Sequence, residues 1–201
     1  MKQTVKNQAK RAGIALAAAF AAFGTGTAQA APPPPGDPTF LSASITIEPR
    51  GEAAGGLTCS WRETGVGPSA VVYYTCTAGV VGALKACVYK GRVIYNSPTK
   101  LDIFRDVTGE HGGAVPFLSQ KNGLISASTT TPIPEVEVPE GAPVLCTEPS
   151  VEEAVAVRWC NASLTDVTNN NLVGATVGEL FQEFFPGVGT VPSCTDLLAT
   201  P

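Results

Sequence analysis

Six cysteines spread from Cys59 to Cys194 constrain this chain more than any other feature. The closest two, Cys76 and Cys87, stand 11 positions apart, whereas a metal site would want paired close thiols or a cysteine and histidine cluster. An even cysteine count behind an export signal reads instead as three disulfides, joining Cys59, Cys76, Cys87, Cys146, Cys160 and Cys194. No metal and no cofactor is expected.

The export signal is the second constraint. Lys2, Lys6, Lys10 and Arg11 precede an apolar run from Ala12 to Phe23, and Ala28-Gln29-Ala30 supplies the small residues a signal peptidase needs. Residues 1–30 therefore read as a secretory signal peptide cleaved before Ala31. The run is shorter than the roughly twenty residues that cross a bilayer, and no later run is longer. The mature chain is expected to be secreted, periplasmic or cell-surface, with no transmembrane segment.

Cleavage changes the charge. All 17 acidic residues lie after Ala30, while four of the 13 basic ones leave with the signal, so nine remain and the mature net charge is −8. Such a surface repels phosphate backbones and anionic headgroups, which excludes nucleic acid and lipid surfaces as natural partners. A cationic partner or a neutral polymer fits better.

The mature chain opens on a proline-rich arm, Ala31 to Pro38 (APPPPGDP), which suits an extended spacer. Phe40 to Ile47 then alternates, with Leu41, Ala43, Ile45 and Ile47 on one face and Ser42, Ser44 and Thr46 on the other. This is the pattern of a half-buried strand. Further strands are expected at Leu57–Trp61, Val71–Ala78, Leu101–Val107 and Val151–Cys160. In the last, Val151, Val155, Val157 and Trp159 would share a face. Val88-Tyr89 and Val93–Tyr95 can pair across Lys90-Gly91-Arg92, and Asn122-Gly123 is the strongest turn signal, placing a hairpin over Phe117–Ala127. One segment reads as a helix: Thr176 and Glu179 have capping-box spacing, and Val177, Leu180, Phe181 and Phe184 form a stripe ahead of Pro186-Gly187.

The fold expected from this pattern is all-β, an antiparallel sandwich-like domain over residues 39–201 with one short C-terminal helix. Thr129–Pro139 holds three prolines and reads as a connector between two β units, 39–128 and 140–201. Three cysteines lie on each side, so complete pairing needs at least one bridge across it. A faint likeness between the halves would follow from duplication. That reading pairs Cys59 with Cys76, Cys146 with Cys160, and Cys87 with Cys194.

Sites of chemistry are sparse. His111, in Gly109-Glu110-His111-Gly112-Gly113, is the sole histidine and the one candidate general base, with Glu110 or Asp106 behind it. His-Gly-Gly also resembles an esterase oxyanion loop, but the G-x-S-x-G elbow of that fold is absent. Glu135 and Glu137 would project to one side of an extended segment about 7 Å apart. Glu152 and Glu153 would point to opposite faces. Asp166, Asn169 and Asn170 are candidate Ca²⁺ ligands, although Asn171 and Val177 stand where an EF-hand loop needs Gly and Glu. Turn formation by Asx side chains accounts for the same letters. Asn161-Ala162-Ser163 matches a glycosylation acceptor.

Trp61 and Trp159 share strand faces with apolar residues and are expected in the core beside disulfides. Of Tyr73 and Tyr74 only one can be exposed, while Tyr89 and Tyr95 are surface candidates. These features point to an exported, non-catalytic binding or assembly protein acting at or outside the cell surface. Assembly would donate Ala31–Ile47 to a neighbour's sheet edge, unless that strand completes its own sheet. The alternatives are a secreted binder of a small molecule, a glycan or a protease, with Thr129–Gly141 as the inhibitory loop, and a small hydrolase using His111.

Overall fold

The computed structural model describes residues 36–49, 54–108, 113–135 and 145–199. The segment read as a signal peptide (residues 1–30), Ala31–Pro35 of the arm, Glu110, His111 and Glu137 lie outside these residues. In chain order the strands are β1 (Thr39–Ile47), β2 (Leu57–Thr64), β3 (Val71–Tyr89), β4 (Arg92–Val93), β5 (Lys100–Val107), β6 (Ala114–Leu118), β7 (Ile125–Thr131), β8 (Val151–Asp166) and β9 (Leu172–Glu183). One short helix, α1 (Cys194–Ala199), follows. Every pairing is antiparallel, so the all-β expectation holds. Among the described residues no helix is long and apolar enough to cross a membrane.

Two sheets form the body. The smaller has the order β1-β2-β7, so the first strand completes a sheet of its own chain. The larger is built on β3. One edge of β3 carries β8 from Tyr74↔Asp166 to Val88↔Val151, and β9 lies beyond β8. Its other edge carries β6, β5 and β4 in succession. Thr129–Thr131, read as the start of a connector, belong to β7, and strands from both sides of that segment pair directly in one sheet.

A line of irregular residues crosses the large sheet. Ala78 pairs with Val107 and Ala162, and Val80 with Arg105 and Cys160, which leaves Asp106, Gly79 and Asn161 level between them. Gly178 occupies the same level in β9. Asp106 and Asn161 have left-handed backbone, with φ of 49° and 54°. Beyond this line each strand resumes its alternation out of phase. In β3, Val72, Tyr74, Cys76 and Ala78 face the small sheet, and then Val81 and Ala83 do. Val80, Leu84, Ala86 and Val88 turn to the opposite face.

The phase change creates two cores. The main one fills the space between the sheets around Trp61, Tyr74, Trp159 and Leu164. The second lies on the other face of the large sheet, where Val188, Val191, Cys194 and Leu197 of the C-terminal tail cover the far half of β3 and β8. Gly82 permits this close approach: a Cβ there would lie 2.9 Å from Val191 Cγ1 and 3.1 Å from Leu197 Cδ1. Arg158 and Arg105 hold the tail by donating to the Val191 and Leu197 carbonyls.

Several expectations need correction. The segment read as a helix is β9, with Thr176 and Glu179 inside the strand. The helix lies further on, where Ser193 caps it by accepting from Asp196 N–H and donating to the Asp196 carboxylate. The Asn122-Gly123 turn forms, with Gly123 at φ 71°, yet its flanking strands do not pair with each other. β6 joins β3 and β7 joins β2, so the turn carries the chain between sheets. At Lys90-Gly91 a two-residue turn with both φ angles positive closes the expected hairpin, and β4 ends at Val93. Val155 is an extra residue opposite Leu84/Lys85, so it faces the tail while Val157 and Trp159 face the main core, and Val151 is exposed.

Three disulfides are present. Cys59–Cys76 joins the two sheets, as expected. The other pairs are Cys87–Cys146, which crosses the connector, and Cys160–Cys194, which pins the helix to β8. The expected pairs Cys146–Cys160 and Cys87–Cys194 do not form. Cys160 lies beyond the phase change, on the face the tail covers, so its side chain meets Cys194.

Candidate functional site

The outward face of the small sheet carries a regular array of side chains. In β1 the outward side chains are Ser42, Ser44 and Thr46; β2 contributes Thr58, Ser60 and Arg62, and β7 contributes Ser126, Ser128 and Thr130. The register aligns them in three rows: Ser42–Arg62–Ser126, Ser44–Ser60–Ser128 and Thr46–Thr58–Thr130. Strand geometry spaces the rows about 6.7 Å apart and neighbours within a row about 4.8 Å apart. Eight of nine positions are hydroxyls, and the ninth is an arginine.

Small side chains along β1, β2 and β7 leave a shallow depression of about 480 Å³ over the first two of these rows. Each hydroxyl can donate and accept, so the rows present both hydrogen-bonding functions throughout. In the last row Thr58 and Thr130 share a bond of 2.8 Å between their Oγ1 atoms, with Glu48 3.5 Å from Thr58 at the corner. None of the nine positions is acidic, although the chain as a whole has more acidic than basic residues. The sequence shows the hydroxyl alternation of each strand separately. Its continuation across three strands depends on β7 joining β2, which the turn signal at Asn122-Gly123 did not suggest.

Behind this face, inside the main core, lies a buried polar group that was not expected. Glu63 follows Arg62 in β2 and points inward with no solvent exposure, as does Asp166 at the end of β8. The Tyr74 hydroxyl donates to Glu63 Oε2 at 2.7 Å. Burial, reinforced by the charge and the hydrogen-bonding carboxylate of Asp166, pushes Glu63 up to about 7 against the opposing effect of the Tyr74 bond. Burial and the adjacent Glu63 push Tyr74 up as well, which keeps its hydroxyl a donor.

The candidate Ca²⁺ residues are found in one turn. Asp166 Oδ1 accepts from the backbone N–H groups of Thr168 and Asn169 at 2.8 and 3.1 Å, and its Oδ2 accepts from the Asn169 side-chain amide. Asn170 and Asn171 have φ of 56° and 55°. These are the bonds of an Asx-type turn. Among the described residues no group of three or more His, Cys, Asp or Glu side chains could hold a metal ion.

The remaining candidates are dispersed. Glu152 forms an ion pair with Lys85 at 3.4 Å, and Lys85 also pairs with buried Asp102 at 3.2 Å. Trp61 and Trp159 are both in the main core, where the Trp159 indole donates to the Gly55 carbonyl at 2.8 Å. Tyr74 is buried and Tyr73 is 44% exposed, as their alternation required. Tyr89 and Tyr95 are exposed. Compared with known proteins, the chain matches no family model, no curated protein and no solved structure.

Proposed function

We propose that this protein is exported and acts by binding a neutral, hydroxyl-rich polymer, a glycan chain, on the outward face of the small sheet. The observation that carries the reading is the three-row array of hydroxyls on β1, β2 and β7, whose first two rows line a depression of about 480 Å³ with no acidic side chain in its lining. A polyhydroxylated chain offers donors and acceptors at close intervals, and each of the eight hydroxyls can meet either function. Arg62 adds a planar multiple donor at one end of the array. The acidic balance of the mature chain disfavours phosphate polymers at moderate salt. Three disulfides suit a domain working outside the reducing cytoplasm.

Binding of this kind needs no nucleophile, and the hydrolase alternative rests on His111 alone. Strand donation has less support, since β1 is already paired with β2 from Thr39↔Thr64 to Ile47↔Leu57.

The test uses protein recovered from the exported fraction of its host, where an intact mass beginning at Ala31 is expected. Retardation in gels containing neutral polysaccharides would be compared with that of a Ser60→Val/Ser128→Val variant. Valine suits a strand but neither donates nor accepts. The variant should keep the far-ultraviolet spectrum of the parent and lose binding by roughly tenfold or more, as expected when two hydroxyl contacts go. Equal retardation of the two proteins, or no retardation of the parent by any neutral polysaccharide, would overturn the reading.

A further inference from the structure

The buried carboxyl pair behind the hydroxyl face has a geometry that ordinary core packing does not explain. Glu63 Oε2 is occupied by the Tyr74 hydroxyl, but Glu63 Oε1 is fully buried and has no hydrogen-bond partner. Tyr74, which donates to Glu63, is the register partner of the equally buried Asp166, so Asp166 adjoins Glu63, and its oxygens already accept from Thr168 and Asn169. Two carboxylates meeting in this way present acceptors to each other. Only a proton on one of them turns the contact into a bond.

Among the described residues no cation is paired with either carboxyl. The ladder neighbours of Glu63 are Phe40 on β1 and Ile125 on β7, both apolar. On β3 it meets the neutral Tyr74, which itself packs against Trp61 and Phe117, and on β8 the acidic Asp166.

We infer that Glu63 and Asp166 are a one-proton latch between the two sheets, closed while Glu63 is protonated and opened when it ionises. In the closed state the Glu63 carboxyl accepts from Tyr74 and donates to Asp166, tying β2 to β8 through the core. Ionisation replaces that bond with two buried like charges, which repel and draw in water. Asp166 is the residue through which opening spreads, because it holds the Thr168–Asn169 turn. That turn in turn accepts the Tyr73 N–H through the Thr168 hydroxyl at 2.8 Å. It also walls a cleft of about 380 Å³ with Asp37, Pro38 and Leu172, so the latch controls the cleft at the end where the proline-rich arm enters. The position of Glu63 near 7 places the change in the range an exported protein meets outside the cell.

The experiment is amide hydrogen exchange on the full mature chain with its disulfides intact, from pH 5 to 9, corrected for the intrinsic pH dependence of exchange. Protection of residues 166–172 in the parent should fall by roughly tenfold or more through neutrality, as a local opening rather than a global one. Glu63→Gln imitates the protonated acid, since its carbonyl can accept from Tyr74 and its amide can donate to Asp166. In that variant protection should not change with pH. Asp166→Asn removes the opposing charge and should move the transition of the parent to lower pH by about one unit or more. This second variant keeps the test decisive if the first does not fold. A parent with pH-independent protection, or a Glu63→Gln variant with the parental transition, would overturn the latch, as would an Asp166→Asn variant whose transition stays where the parent's is.

Discussion

Glu63 is the residue at which sequence pattern and structure part most sharply. It occupies an inward position of β2 between Trp61 and the strand end, where alternation calls for an apolar side chain, and it is fully buried. Its carboxyl, pushed to about 7 from an ordinary 4.5, binds a proton in the folded chain that the unfolded chain has lost across that interval. Where the folded state holds more protons than the unfolded one, stability falls as pH rises. Stability should therefore be greatest below about pH 4.5 as far as this group is concerned, and decline through pH 7 by up to about 3 kcal/mol. Urea unfolding at pH 5 and pH 8 measures the difference. In Glu63→Gln this component should vanish, leaving the variant at least as stable as the parent at pH 8. Nothing in the local sequence marks Glu63, because its partners Tyr74 and Asp166 lie 11 and 103 positions away.

The strands of the large sheet show how a regular element can carry an irregular pattern. Inward residues of β9 are Ala175 and Val177, then Leu180 after the level of Gly178, with Phe184 following just past the strand end. A strand that changes phase thus yields apolar spacings of three and four, the signature of an amphipathic helix. Phe181, which would complete that helical stripe, is 44% exposed under the Arg158 guanidinium, and Glu179 pairs with Arg158 instead of capping. The same line requires left-handed backbone at Asn161, with φ of 54°. Asn161→Val should cost about 1–2 kcal/mol, because a β-branched residue is strained there, while Asn161→Gly should be near neutral. Denaturant midpoints of the two variants check the contrast. β1 and β2, which do not cross the line, were largely legible in the sequence, as was the inward placing of both tryptophans. β2 nevertheless runs on to Thr64, and Leu41, read as inward, is 57% exposed beside a register shift at Phe40/Ser42.

At the scale of the molecule, one sheet serves two cores, and the disulfides divide between them. Cys59–Cys76 lies in the main core between the sheets, whereas Cys160–Cys194 fastens the tail over the second. Replacing Cys160 and Cys194 together by Ser should lower stability by about 2–4 kcal/mol, for a closed loop of 34 residues. The loss should be uneven. Limited proteolysis is expected to cut residues 185–199 early while Leu57–Thr64 and Ile125–Thr131 stay protected, because the tail covers the face of the large sheet away from the small one. Simultaneous loss of both regions would show that the two cores unfold as one.

The sequence by itself determined the all-β class, the presence of three bridges and the half-buried character of the first strands. These follow from local causes: two-residue alternation, turn chemistry and an even cysteine count. Only the tertiary structure decided which cysteines meet, which sheet each strand after Asn122-Gly123 joins, and that three strands of serine and threonine align into one face. Each of those outcomes depends on residues far apart in the chain arriving at the same level of a sheet. A single change of phase at Gly79 and Asn161 redirects every side chain beyond it, and a pattern read along one strand does not contain the neighbour that forces the change.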